Sequence, residues 1–180
     1  MVNDWPAARR KAPTDAQQPH TGKGRVGFTL TSHNMKNIDW GSLSFGYVPT
    51  DYNVRCYYRD GQWGEIEVCS DEYIKMHMAA TCLHYGQEAF EGLKAYRCPD
   101  GKVRVFRMDE NAARLQSTCR GILMPEVPTE LFEDMVKKVV RLNQEYIPTY
   151  ESGATLYIRP LLVGMSAQVG VHPASEYLFM

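Results

Sequence analysis

Two Asp-Gly steps, Asp60-Gly61 and Asp100-Gly101, each stand between β-rich runs, and they commit the first half of the chain to antiparallel hairpins. An Asp-Gly pair supplies the positive backbone angles of a tight turn whose twist matches its flanking strands. Before the first step lies Val54-Arg55-Cys56-Tyr57-Tyr58, and after it the run from Trp63 to Val68. Around the second, Glu88 to Tyr96 and Lys102 to Phe106 flank Pro99-Asp100-Gly101, and Val103 and Val105 alternate with Arg104 as period-two strand residues do. Two helices are expected next. Asp109 stands where an N-cap belongs, with Glu110 in the first turn of an Ala-rich segment running to about Leu123. After Thr129, the residues Leu131, Phe132, Met135, Val136, Val139 and Val140 recur at three-and-four spacing, and Pro148 lies beyond the end.

The run Leu156-Tyr157-Ile158-Arg159-Pro160-Leu161-Leu162-Val163-Gly164 reads as a strand that must bend or lie at an edge at Pro160, which has no N–H for a ladder. Hairpin, hairpin, two helices and strand in that order make an α+β domain and not a doubly wound one. Glu176-Tyr177-Leu178-Phe179-Met180 reads as the opening of a buried strand with no partner after it, and on that ground the chain is expected to be the first part of a larger protein. Residues 1–24, with Pro6, Pro13, Pro19, Gly22 and Gly24 among polar neighbours, are expected to form a flexible extension to a small α+β domain over 25–180.

A net charge of −1 gives no electrostatic footprint for nucleic acid or for an acidic membrane surface. No apolar run reaches 18 residues, and the N-terminus lacks a continuous apolar stretch, so a cytoplasmic protein is expected. Arg9-Arg10-Lys11 hints at a transit peptide, but Asp4, Asp15 and the prolines oppose it. The five cysteines, Cys56, Cys69, Cys82, Cys98 and Cys119, are odd in number and contain no C-x-x-C, which suits reduced thiols and neither a zinc site nor a disulfide framework. His77 and His84 are seven apart, so no metal site follows from spacing, and no P-loop, G-x-G-x-x-G or G-x-S-x-G occurs.

Three short stretches concentrate glycine, aromatic and charged residues: "HYGQEAFEGLKAYR" from His84, "VRVFRMDENAARL" from Val103 and "LYIRPLLVG" from Leu156. Gly86 and Gly92 break an otherwise good strand, as glycines do where a ligand or another backbone approaches. In order and approximate spacing, the three stretches resemble the fold-type-IV pyridoxal-phosphate aminotransferases, specifically the branched-chain amino-acid aminotransferases. The resemblance covers about residues 25 to 180 and implies the small N-terminal domain of that architecture, with the cofactor between it and a larger domain.

By resemblance, Arg114 grips the phosphate of pyridoxal 5'-phosphate, a role suited to a forked, always-charged guanidinium. Read without the resemblance, Arg114 is a solvated helix residue paired with Glu110 four positions earlier. Tyr85 and Phe90 match residues lining the substrate pocket, and Tyr157 and Arg159 match residues that complete and orient it, although Phe90 and Tyr157 also suit plain strand core. Lys94 matches a basic residue of the small domain and not the cofactor-bearing lysine, which the resemblance puts past Met180. The resemblance implies amino transfer between leucine, isoleucine or valine and 2-oxoglutarate in a homodimer, with this chain inactive alone. Two alternatives remain open: a non-catalytic dimerisation or interaction module, and a relative of the same fold acting on D-amino acids or aminodeoxychorismate.

Overall fold

The computed structural model describes residues 27–28, 38–40, 42 and 46–180; the extension expected over residues 1–24 lies outside them. The strands are β1 (Gly27–Phe28), β2 (Asn53–Arg59), β3 (Gln62–Trp63), β4 (Glu67–Cys69), β5 (Glu88–Phe90), β6 (Leu93–Arg97), β7 (Val103–Val105), β8 (Leu156–Ile158), β9 (Leu161–Gly164) and β10 (Tyr177–Phe179). The helices are α1 (Thr81–Tyr85), α2 (Met108–Gly121) and α3 (Thr129–Leu142), with two short 3-10 turns after α3. All described strand pairs are antiparallel. The strands form two sheets, one ordered β1-β7-β6-β8 and the other β3-β2-β10-β9-β5, with β4 also on β2. The α+β class stands.

Both hairpins form where the Asp-Gly steps place them. Asp60 and Gly61 take φ of 52° and 80° between β2 and β3, and Gly101 takes 74° between β6 and β7. The first return strand carries a bulge: between the pairs Tyr58↔Trp63 and Arg55↔Glu67, residues 64–66 face only residues 56–57.

The expected single strand from Glu88 to Tyr96 is instead two strands in different sheets. β5 pairs with β9 and β6 pairs with β8, so the chain changes sheet across Glu91-Gly92. The partner strand changes sheet opposite, across Arg159-Pro160, where the proline forces the bend. The pairs Phe90↔Leu161 and Leu93↔Ile158 keep one register across the break, and the Glu91 N–H donates to the Pro160 carbonyl at 2.9 Å. Two strands therefore turn the corner together.

Both helices pack on the inner face of this angle. α3 buries Phe132, Met135, Val136 and Val140, and α2 buries Met108, Ala112, Leu115 and Cys119. Asp109 is not the cap of α2, because the cap lies two residues earlier at Arg107, held at φ 46°, and the helix begins at Met108. Asp109 and Glu110 instead occupy the first turn, where negative charge meets the helix dipole favourably.

β10 is not an uncovered strand. It lies between β2 and β9 with both edges paired, and Tyr177, Leu178 and Phe179 are buried, so its exposure gives no argument about the chain's ends. Phe179 stacks on Phe132 at 5.9 Å and meets Trp63 edge-on at 6.3 Å, while Tyr58 meets Trp63 and Tyr177 edge-on. Each pair is worth about 0.5–1.5 kcal/mol beyond burial; the Phe132–Phe179 stack joins α3 to the larger sheet, and the other three tie β2, β3 and β10 together. Phe132→Ala is expected to lower unfolding free energy by about 3–5 kcal/mol in a urea titration, whereas a loss below about 1 kcal/mol would mean that the α3–sheet packing reseals around the gap.

Candidate functional site

Side chains alternate without interruption through the corner. Ala89, Glu91, Leu93 and Ala95 point inward and are buried, while Phe90, Gly92, Lys94 and Tyr96 point outward. On the partner strands, Ile158, Pro160 and Leu162 are buried while Arg159 is exposed. The corner thus presents one face to solvent and one to the helices, and chemically distinct groups stand on each.

On the outer face, Gly92 leaves room for Tyr157. A Cβ at Gly92 would stand 2.5 Å from the Tyr157 hydroxyl and 3.3 Å from its Cζ. Arg159 Nε donates to that hydroxyl at 3.1 Å, and its guanidinium lies over the Phe90 ring at 4.3 Å and the Tyr157 ring at 5.3 Å. Contact with two aromatic rings orients an exposed guanidinium without neutralising it.

The inner face holds a buried carboxylate. The Glu91 side chain is only 4% exposed, and Arg114, reaching from α2, grips it with Nε to Oε1 at 2.8 Å and Nη2 to Oε2 at 2.5 Å. Asn111, one helical turn before Arg114, donates to Glu91 Oε2 at 2.8 Å and to the Gly92 carbonyl at 3.4 Å. Burial pushes the Glu91 carboxyl up, but hydrogen bonds from Arg114 and Asn111, with the arginine charge, outweigh it and hold the group below its ordinary value. Arg114 does not pair with Glu110, which takes Arg107 instead. Two of its five N–H donors go to Glu91 and its side chain is 67% exposed, so donors remain for an external anion.

Phe90, Tyr157 and Arg159 therefore gather on the outer face at Gly92, while Arg114 stands on the inner face of the same two-residue break, bound to Glu91. Tyr85 belongs to a second cluster. It is the last residue of α1, a short helix where the sequence reads as strand, and Gly86 at φ 62° turns the chain into β5. The Tyr85 hydroxyl donates to the carbonyl of Val169, in the loop between β9 and β10. Gln87 holds that loop by accepting from the Ala174 N–H at 3.1 Å and donating to the Tyr177 hydroxyl at 3.2 Å. Val169 and Val171 stand exposed at its tip. Lys94 lies on the outer face of β6 opposite Tyr157.

A cavity of about 330 Å³ is lined by residues of α3, β2 and β8, with Val54, Arg55, Met135, Ile158, Tyr157 and Arg159 among its walls. Arg55 is buried there and donates to Asn53 Oδ1 and to the Asp71 and Tyr73 carbonyls. Sequence reasoning does not single out Glu91 or Asn111. A signal for Glu91 exists, since period-two alternation puts it inward among Ala89, Leu93 and Ala95, where a carboxylate requires a partner.

The angled sheet pair with helices in its corner is the fold of solved fold-type-IV aminotransferases. A branched-chain amino acid aminotransferase from T.th., complexed with N-(5'-phosphopyridoxyl)-L-glutamate, matches 72% of this chain and 40% of its own at a TM-score of 0.53 and 25% identity. A branched-chain aminotransferase from Thermoproteus uzoniensis, with norvaline, matches 72% of this chain and 40% of its own at a TM-score of 0.51 and 21% identity, a likeness of fold. In sequence, the branched-chain-amino-acid aminotransferase of Haemophilus influenzae is 48% identical over 145 residues, 81% of this chain and 42% of its own length. That of Helicobacter pylori is 45% identical over 147 residues, 82% of this chain and 43% of its own. No family model matches the chain. The chain is therefore a homologue of the branched-chain-amino-acid aminotransferases over the stretch they share, and it spans less than half of those relatives' length. Among the described residues, no helix is long and apolar enough to cross a membrane.

Two outcomes follow from the corner. Gly92→Ala is expected to fold with a loss of about 1–3 kcal/mol while pushing the Tyr157 hydroxyl off Arg159, read as a shifted Arg159 Nε–H resonance; an unmoved resonance would show that Tyr157 does not need that space. The lowered Glu91 carboxyl makes the ion pair's stabilisation present above the unfolded glutamate value of about 4.3 and lost as pH falls through the still lower folded value. The stability gap between the wild type and Glu91→Gln should accordingly be widest near neutrality and close on acidification, and a gap constant from about pH 7 to about pH 3 would refute the pairing.

Proposed function

We propose that residues 25–180 form the small domain of a branched-chain amino-acid aminotransferase, which when complete transfers an amino group between leucine, isoleucine or valine and 2-oxoglutarate. The observation that supports the reading is that Phe90, Tyr157 and Arg159 cluster on the outer face of the strand corner while Arg114 is held at the same corner by Glu91, all four at positions that resemble the family's site residues. The cofactor is pyridoxal 5'-phosphate, whose phosphate Arg114 holds through donors not spent on Glu91. When bound, that cofactor supplies an electron sink for removal of an amino acid's α-proton.

Phe90 and Tyr157 wall a pocket for branched aliphatic side chains, where each buried methylene contributes about 0.8 kcal/mol. Arg159, oriented by the two rings, supplies positive charge for a substrate carboxylate. Tyr85, which resembles a further pocket-lining residue of the family, stands in the second cluster, and the enzyme works as a homodimer. Lys94 is not the cofactor-bearing lysine. On this reading the cofactor-bearing lysine belongs to the larger domain, and residues 25–180 by themselves do not transaminate. Five free thiols suit a reducing, cytoplasmic setting.

The test is amino transfer from each branched-chain amino acid to 2-oxoglutarate by the full-length protein carrying this chain. Activity that requires added pyridoxal phosphate, with kcat/KM lowered about 10²-fold or more by Arg159→Ala, is the expected result. Absence of transamination on all three amino acids, from protein shown to bind the cofactor, would refute the substrate assignment.

A further inference from the structure

We propose that Glu91 is a positioning residue for the cofactor phosphate, acting through Arg114. The inference rests on the reading of Arg114 as the phosphate grip given under Proposed function. Arg114 projects from an exposed helix face, and a long side chain there samples many rotamers unless something holds it. Glu91 supplies that hold, engaging the Nε and Nη2 edge of the guanidinium and leaving Nη1 and the second Nη2 N–H turned away from the carboxylate.

The carboxylate is itself immobile. Its backbone N–H is bonded to Pro160 across the corner, Asn111 takes Oε2, and the side chain is buried. The arginine is thus referenced to two strands and a helix at once. A bare carboxylate beside a phosphate would repel it. Here Arg114 and Asn111 cover both carboxylate oxygens, so N–H groups and not oxygen lone pairs are what the pair offers outward.

Stability alone gives little reason for a carboxylate at this position. The inward neighbours Ala89, Leu93 and Ala95 are apolar, and an apolar side chain could fill the same site without desolvating a charge. What glutamate adds, and an apolar residue cannot, is a forked and directional bond to the arginine.

The experiment compares the affinities of the full-length protein for pyridoxal phosphate and for pyridoxal, which lacks the phosphate. Glu91→Gln is expected to reduce the preference for the phosphorylated ligand about tenfold, within the coupling range of contacting residues, and to leave pyridoxal binding unchanged. In an Arg114→Ala background, Glu91→Gln should have no further effect on that preference. An unchanged or increased preference in Glu91→Gln, with Arg114→Ala still reducing it, overturns the role of Glu91 alone. A preference untouched by Arg114→Ala overturns the phosphate reading and this inference with it. Equal losses for both ligands would mean that Glu91 only supports the fold. Should Glu91→Gln not fold, Asn111→Ala decides: a loss confined to the phosphorylated ligand supports the positioning role, and an unchanged preference overturns it.

Discussion

The fold depends on a corner that two antiparallel strands turn together. Pro160 cannot donate to a ladder, and opposite it the chain runs Glu91-Gly92, so the pairing between β5–β6 and β8–β9 survives at this point through the Glu91 N–H to Pro160 carbonyl bond. Because the register is unbroken, side chains keep their faces while the backbone changes sheet. The inner angle is then filled by α2 and α3, whose apolar stripes need two surfaces at an angle and not one flat sheet. A straight ladder would leave Leu115 and Phe132, both fully buried, without walls on one side.

Much of this is legible from local chemistry. The Asp-Gly steps specify their hairpins through backbone angles that few other pairs adopt, and the α3 stripe is long enough for its period to be unambiguous. Pro160 announces the bend for a reason intrinsic to proline. What escapes a sequence reading is non-local. The alternation from Ala89 to Tyr96 is the same whether a strand stays in one sheet or passes to another, so one strand is expected where two exist. α1 has five residues, too few for a helical period to show. Asp109 has the chemistry of a cap, yet Arg107 takes the left-handed conformation and starts the helix earlier. β10 is apolar because it is central, and nothing in so short a run distinguishes a central strand from an unpaired one.

The site shows a similar division. Arg114, Phe90, Tyr157 and Arg159 come from three separate stretches, and the structure brings those stretches to one corner. Their partners are harder to see. Glu91 bonds to residues 20 and 23 positions away, and no helical or strand period reports such a pairing. Arg114 has Glu110 at the helical spacing that favours an ion pair, but Glu110 is taken by Arg107, and the buried carboxylate offers a fork in a drier setting.

Glu91 and Gly92 are adjacent, and strand geometry sends them to opposite faces. The inward residue anchors the arginine from α2, while the outward one clears space for the tyrosine that orients Arg159. A change in the angle between the two sheets would therefore move both guanidinium groups together, since each is referenced to the same two-residue break. The corner that closes the core is in this way also the ruler that sets the spacing between the two cationic groups. The backbone break that packs the core is therefore also what fixes the direction of both guanidinium groups, one through a buried ion pair and the other through two aromatic rings.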